Sequence, residues 1–217
     1  MIWLRPFELR LALSNVVMQP EPPDMHAMDD VALTQRCAAG DADAQHVFFE
    51  RTRQQIHRTM YRVLGSNRYI EDLLQETFIE VFRSLHNFRG DAALTTWVDT
   101  VAARVVYRYL AKRRRDALSL STADEPLVAA VDAERQLDAR TALRHLYLML
   151  DRVEPMYRIA YTLHVIDGRP LQEVARISGC SVMAIKNRIW RARRLVQARA
   201  ERDPVLRDFI AEWSTAP

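Results

Sequence analysis

The chain has 217 residues, of which 49% are hydrophobic and 27% charged, with a formal net charge of +3. That length admits one large domain or two small ones, and five glycines among abundant Ala, Leu and Arg favour an all-α protein. No apolar run reaches the length of a membrane span. Cys37 and Cys180 lack neighbours at metal-ligand spacing, and the six scattered histidines form no catalytic set, so disulfide-framework, metal and hydrolase classes are disfavoured.

Residues 1–28 differ in composition from the rest. Apolar Ile2, Trp3, Leu4, Phe7 and Leu9 are interrupted by Arg5, Glu8 and Arg10, and Gln19-Pro20-Glu21-Pro22-Pro23 follows. This stretch reads as a disordered extension, or as a start assigned ahead of Met25 or Met28. From Asp29 the pattern turns helical. Asp30 is placed to cap a helix bearing Val31, Leu33 and Cys37 that ends at Gly40. Asp41 begins a second helix with Ala44, Val47, Phe48, Ile56, Met60 and Leu64 on one stripe, closed by Gly65-Ser66-Asn67.

A third helix is expected over 69–88. Its apolar face carries Ile70, Leu73, Leu74, Phe78 and Val81, and Asp72, Gln75 and Glu76 form a compact acidic and amide patch on the other. A fourth helix begins at Thr95 or Thr96 and ends in Lys112-Arg113-Arg114-Arg115. Aromatics (Trp97, Tyr107, Tyr109) alternate there with cations (Arg104, Arg108, Lys112). That mixture suits unpaired nucleic acid, because cations follow phosphates while rings stack on bases. For Trp97 a place in the core is an equal expectation.

Residues 116–133 are acidic and free of glycine, the best linker candidate. Helices are then expected over 132–153 and 155–166, the latter with Pro155 in its first turn. The stretch 170–195 reads as a helix-turn-helix. Leu171, Val174, Ala175 and Ile177 mark the first helix, Gly179 the turn, and Ser181 the cap of a second with Val182, Ile185 and Ile189 inward. Lys186, Asn187, Trp190, Arg191 and Arg194 are left outside, a cationic face without acids. The tail, 201–217, carries Val205, Leu206, Phe209, Ile210 and Trp213 at helical spacing. Cations concentrate in 104–115 and 186–199 with an acidic stretch between them, as in a protein that touches a polyanion at two places.

Three motifs in this order resemble a family. Glu71-Asp72-Leu73-Leu74-Gln75-Glu76-Thr77-Phe78, the segment from Phe88-Arg89-Gly90 through Trp97 to Arg115, and the segment from Glu173-Val174-Ala175 through Lys186-x-Arg188-x-x-Arg191 resemble bacterial sigma-70 family sigma factors of the extracytoplasmic-function (ECF) group. The resemblance covers about residues 29–200. It implies an all-α chain of two small helical domains joined by a flexible linker, the second a helix-turn-helix domain. It sets a −10 domain at 29–115, a linker at 116–133, a −35 domain at 134–200 and a tail at 201–217.

The resemblance also implies roles. Asp72, Gln75 and Glu76 are expected to bind the β′ clamp helices of core RNA polymerase, whose β flap is a second contact. Trp97, Arg104, Tyr107, Arg108, Lys112, Arg113 and Arg114 are expected at the −10 element and its melted strand. Lys186, Asn187, Arg188, Trp190, Arg191 and Arg194 are expected at the −35 element. Promoter DNA and an anti-sigma factor are the implied partners, with no catalysis, metal, cofactor or small-molecule substrate. The implied place is the cytoplasm, with sequestration at the inner membrane by the anti-sigma factor. Ala102-Ala103-Arg104 and Arg108 depart from the family's usual residues, and each adds positive charge near the −10 reader. The alternative from the residues alone is a stand-alone helix-turn-helix regulator with an N-terminal sensor domain. It gives the Asp72–Glu76 patch and the 104–115 helix no task.

Overall fold

The computed structural model describes residues 29–120 and 134–203. The expected extension 1–28, linker residues 121–133 and tail residues 204–217 lie outside them. The described residues form eight α-helices: α1 (Asp30–Ala38), α2 (Ala42–Leu64), α3 (Ile70–Ser84), α4 (Leu94–Leu120), α5 (Glu134–Leu150), α6 (Pro155–Tyr161), α7 (Leu171–Ile177) and α8 (Val182–Ala200).

Local chemistry sets the boundaries. Asp29, rather than Asp30, caps α1: its carboxylate accepts from the Ala32 N–H at 2.8 Å, and Asp30 is already helical. Asp41 caps α2, accepting from the N–H groups of Asp43 and Ala44 at 3.1 Å each. The Ala44 bond, and then Arg36 beside it, hold the Asp41 carboxyl below its ordinary range. The third helix is shorter than expected. It stops at Ser84, whose hydroxyl donates to the Glu80 carbonyl at 2.6 Å, and a 3₁₀ turn over Leu85–Asn87 leads to extended Phe88. By contrast α4 runs five residues past Arg115, into the stretch expected as linker. No glycine or proline in 112–120 stops it.

The helix expected over 155–166 is divided. After Tyr161 the chain widens into a π-turn, Thr162–Ile166. The Thr162 hydroxyl donates to the carbonyls of Arg158 (2.9 Å) and Ile159 (3.1 Å), and the Asp167 N–H reaches back to the Thr162 carbonyl at 2.9 Å. The helix-turn-helix is as the residues require: Gly179 takes φ 60°, and the Ser181 hydroxyl accepts from the Ala184 N–H at 3.2 Å.

The first unit buries Leu33, Phe48, Ile56, Met60, Val81, Val98 and Val105 among α1–α4. The second does not stand apart from it. Ile159, Leu163, Val174, Ile177 and Ile185 belong to the same buried cluster. Tyr147, Leu150, Val153, Ala192 and Val196 make a smaller cluster joining α5 to α8. Cys37 is buried, which pushes its thiol up to about 11 and leaves it protonated at neutral pH.

Candidate nucleic-acid interface

On α3, the buried residues Leu73, Leu74, Thr77 and Phe78 turn Asp72, Gln75 and Glu76 outward, and all three are exposed. Ile79 lies on the same stripe with 51% of its surface exposed. Sequence reasoning missed it, although its spacing of seven from Asp72 was there to be read. Glu76 is not isolated. It accepts from Arg108 of α4 at 2.7 Å, and Glu80 accepts from the same guanidinium. The Glu80 bond, with Glu76 in support, raises the Arg108 pKa. A residue expected at the −10 element thus meets one expected at the polymerase.

On α4, Arg104, Tyr107, Lys112 and Arg114 are exposed. Arg104, Tyr107 and Arg108 lie three and four apart, so they share a face. Trp97 is half-buried, its ring edge-on to Phe88 at 5.6 Å. Arg113 lies 3.6 Å from Asp151 in the second unit.

Ile185, Ile189 and Ala192 anchor α8, and Lys186, Asn187, Trp190, Arg191 and Arg194 are exposed. Arg188 is half-exposed and lies on the flank of α8, about 60° round the helix from Arg191. The Arg194 guanidinium lies over the Trp190 ring at 5.0 Å. Arg191 donates to the Tyr157 hydroxyl of α6 at 2.9 Å and lies over its ring. The first turn of α8 carries no acid.

The residues the sequence reading missed join the two units. At the end of α2, the carbonyls of Arg62, Val63 and Leu64 have no partners within the helix. Tyr147 donates to Arg62 at 2.6 Å, and the buried Arg158 donates to Val63 at 2.8 Å and to Leu64 at 2.9 Å. Asp151 pairs with the same guanidinium. Burial pushes the Tyr147 hydroxyl up to about 12. Gly65 follows at φ 73°, and a Cβ there would overlap the Tyr147 ring.

A second node centres on Asp99, which is 0% exposed. It accepts from Thr59 at 2.7 Å, from Gln55 at 2.8 Å and from Arg169 at 2.5 Å. Arg169 also donates to Thr59 at 2.8 Å and to Asp167 at 2.7 Å. Burial alone would lower the Arg169 pKa; the bonds to Asp99 and Asp167 outweigh it and raise the value. A signal for Asp99 existed: it shares a helical face with Ala102, Ala103 and Val106, so an acid stood on an apolar stripe.

Among the described residues no three His, Cys, Asp or Glu side chains are placed to hold a metal ion. None of the described helices is long and apolar enough to cross a membrane.

Known proteins match both units. Residues 48–116 match Sigma-70 region 2, and residues 143–196 match Sigma-70, region 4. The ECF RNA polymerase sigma-E factor of Salmonella typhimurium is 26% identical over 189 residues, covering 83% of this chain and 97% of that protein. The one from Haemophilus influenzae is 27% identical over 186 residues, covering 78% and 94%. Among solved structures, CnrH in complex with the cytosolic domain of CnrY shares the fold, with a TM-score of 0.52 at 21% identity, over 80% of this chain and 98% of that one.

Proposed function

The chain belongs to the sigma-70 family, in its extracytoplasmic-function group, and from that premise we propose how its residues divide the work of starting transcription. Residues 29–115 are the unit that holds core RNA polymerase and the −10 element, and 134–200 the unit that holds the −35 element. Asp72, Gln75 and Glu76 dock on the β′ clamp helices, with Ile79 as an apolar anchor beside them; the second unit meets the β flap. Arg104, Tyr107, Lys112 and Arg114 follow the opened strand, where cations offset phosphate charge and aromatic faces take unstacked bases. Arg113 joins them once released from Asp151. Trp97, packed against Phe88 and only half-buried, stands beside them. Arg108 stands on that same face and ties α4 to the docking helix through Glu76 and Glu80. The factor supplies no catalysis, cofactor or metal of its own; the chemistry is the polymerase's. It acts in the cytoplasm, and an anti-sigma factor holds it in check.

The second unit lays α8 in the major groove. Lys186, Asn187, Trp190, Arg191 and Arg194 face the base edges or the flanking phosphates, and Arg188 serves the backbone at the rim. Geometry adds a requirement. By their nominal positions, −35 and −10, the two elements lie about 25 base pairs apart, about 85 Å at 3.4 Å per step. A packed body of this size is about 40 Å across. The chain from Leu120 to Glu134 spans at most about 50 Å when extended. Reading both elements at once therefore requires the seam at Asp99–Arg169 and at the end of α2 to part, and the two units then reach the two sites.

The observation that carries this reading is the exposed Asp72–Gln75–Glu76 stripe standing in one chain with an exposed cationic face on α4 and an exposed polar strip on α8. It is tested by measuring core polymerase affinity. Asp72→Ala with Gln75→Ala, which leaves the Arg108 pair intact, is expected to weaken assembly about tenfold or more with no loss of fold. Unchanged affinity contradicts the docking assignment.

A further inference from the structure

Met183 is the second residue of α8, and 69% of its surface is exposed, the largest fraction among the exposed large apolar side chains of the described residues. Its helix neighbours Val182, Ile185 and Ile189 serve the core, so Met183 contributes little to folding. At about 100° per residue, Met183, Asn187, Trp190 and Arg194 fall within a strip about 60° wide, with Lys186 along its edge. The strip therefore opens with a bare thioether, continues with an amide, and ends in a ring covered on one face by Arg194.

The N-terminal residues of a recognition helix go deepest into the major groove. The thymine C5-methyl is the one alkyl group on a base edge there; cytosine offers only a C5–H, and the other groups read are donors or acceptors. A flexible, polarizable side chain at that end has its best complementary partner in that methyl. We propose that Met183 packs on a thymine methyl in the −35 element and so fixes an A·T pair there. Trp190 is the weaker candidate, because Arg194 occupies one of its faces. This inference rests on α8 being the −35 reader.

The test uses holoenzyme assembled from the full chain and promoters recovered by start-site mapping. Each thymidine across the −35 element is replaced in turn by deoxyuridine, which removes one methyl and leaves every hydrogen-bonding group. At one position the wild-type holoenzyme should lose affinity about fourfold. Met183→Ala should lose about as much on the unmodified promoter and nothing further with deoxyuridine at that position, and Met183→Leu should restore the discrimination. Met183 is exposed, so neither variant disturbs the core. The proposal is overturned if no deoxyuridine position costs the wild type, or if the cost persists in full in Met183→Ala. Failure of the −35 assignment itself shows differently, as mapped promoters with no shared −35 element, and it takes this inference with it.

Discussion

Arg191 illustrates how a single residue acquires a role from its neighbour. Its guanidinium is held by the Tyr157 hydroxyl and ring, so part of its rotamer freedom is spent before DNA arrives. Two of its nitrogens stay available for a guanine edge. Arg191→Ala is expected to cost about 1–3 kcal/mol at one base pair of the −35 element and little at others, measured by competition between promoter variants. An equal loss on all sequences makes it a phosphate contact instead. Arg108 shows the converse. Its exposed pairs with Glu76 and Glu80 contribute at most about 1 kcal/mol, so their value lies in orientation rather than stability.

Among the elements, α2 takes its C-terminal capping from distant chain. Its last carbonyls are capped by Tyr147 and Arg158, and Gly65 clears the space in which the Tyr147 ring sits. Gly65→Ala adds a strained left-handed backbone and an overlap with that ring. It should cost about 2–3 kcal/mol and lower the melting temperature by about 4–10 °C. A melting temperature within a degree of wild type contradicts the account of this turn.

The contrast between α2 and α8 shows what the sequence made legible. Gly179 and Ser181 mark the helix-turn-helix because turn and cap chemistry are local, and Asp41 marks its helix for the same reason. The end of α2 is stabilised by residues more than 80 positions away, and a buried arginine such as Arg158 reads in sequence as a surface charge. The π-turn at Thr162 arises from a hydroxyl competing for carbonyls, which periodicity does not register. The outward strip of α8 was legible in its charges, whereas Met183 was not, because an exposed methionine looks like any other apolar residue until the core is known.

At the scale of the whole molecule, the seam joins two units that the proposed function requires to separate. One of its ties is a buried charge pair, Asp99 with Arg169, which is costly to leave half-satisfied. Asp99→Asn removes the charge and should loosen the seam without emptying either core. With one dye on α3 and another on α8, the free wild-type chain should show high transfer efficiency and the promoter complex low. Free Asp99→Asn should give a broader distribution than free wild type. Efficiency that does not change when core polymerase and promoter are added contradicts opening.

The central claim, that this chain directs core RNA polymerase to two-part promoters, is tested most directly by run-off transcription with purified core polymerase and genomic DNA, with start sites mapped. Transcripts are expected that depend on the full chain, with starts that share two upstream elements, and they should be lost with the Asp72→Ala and Gln75→Ala pair. Sequence-specific binding of the chain to duplex DNA, with no chain-dependent starts, would contradict it.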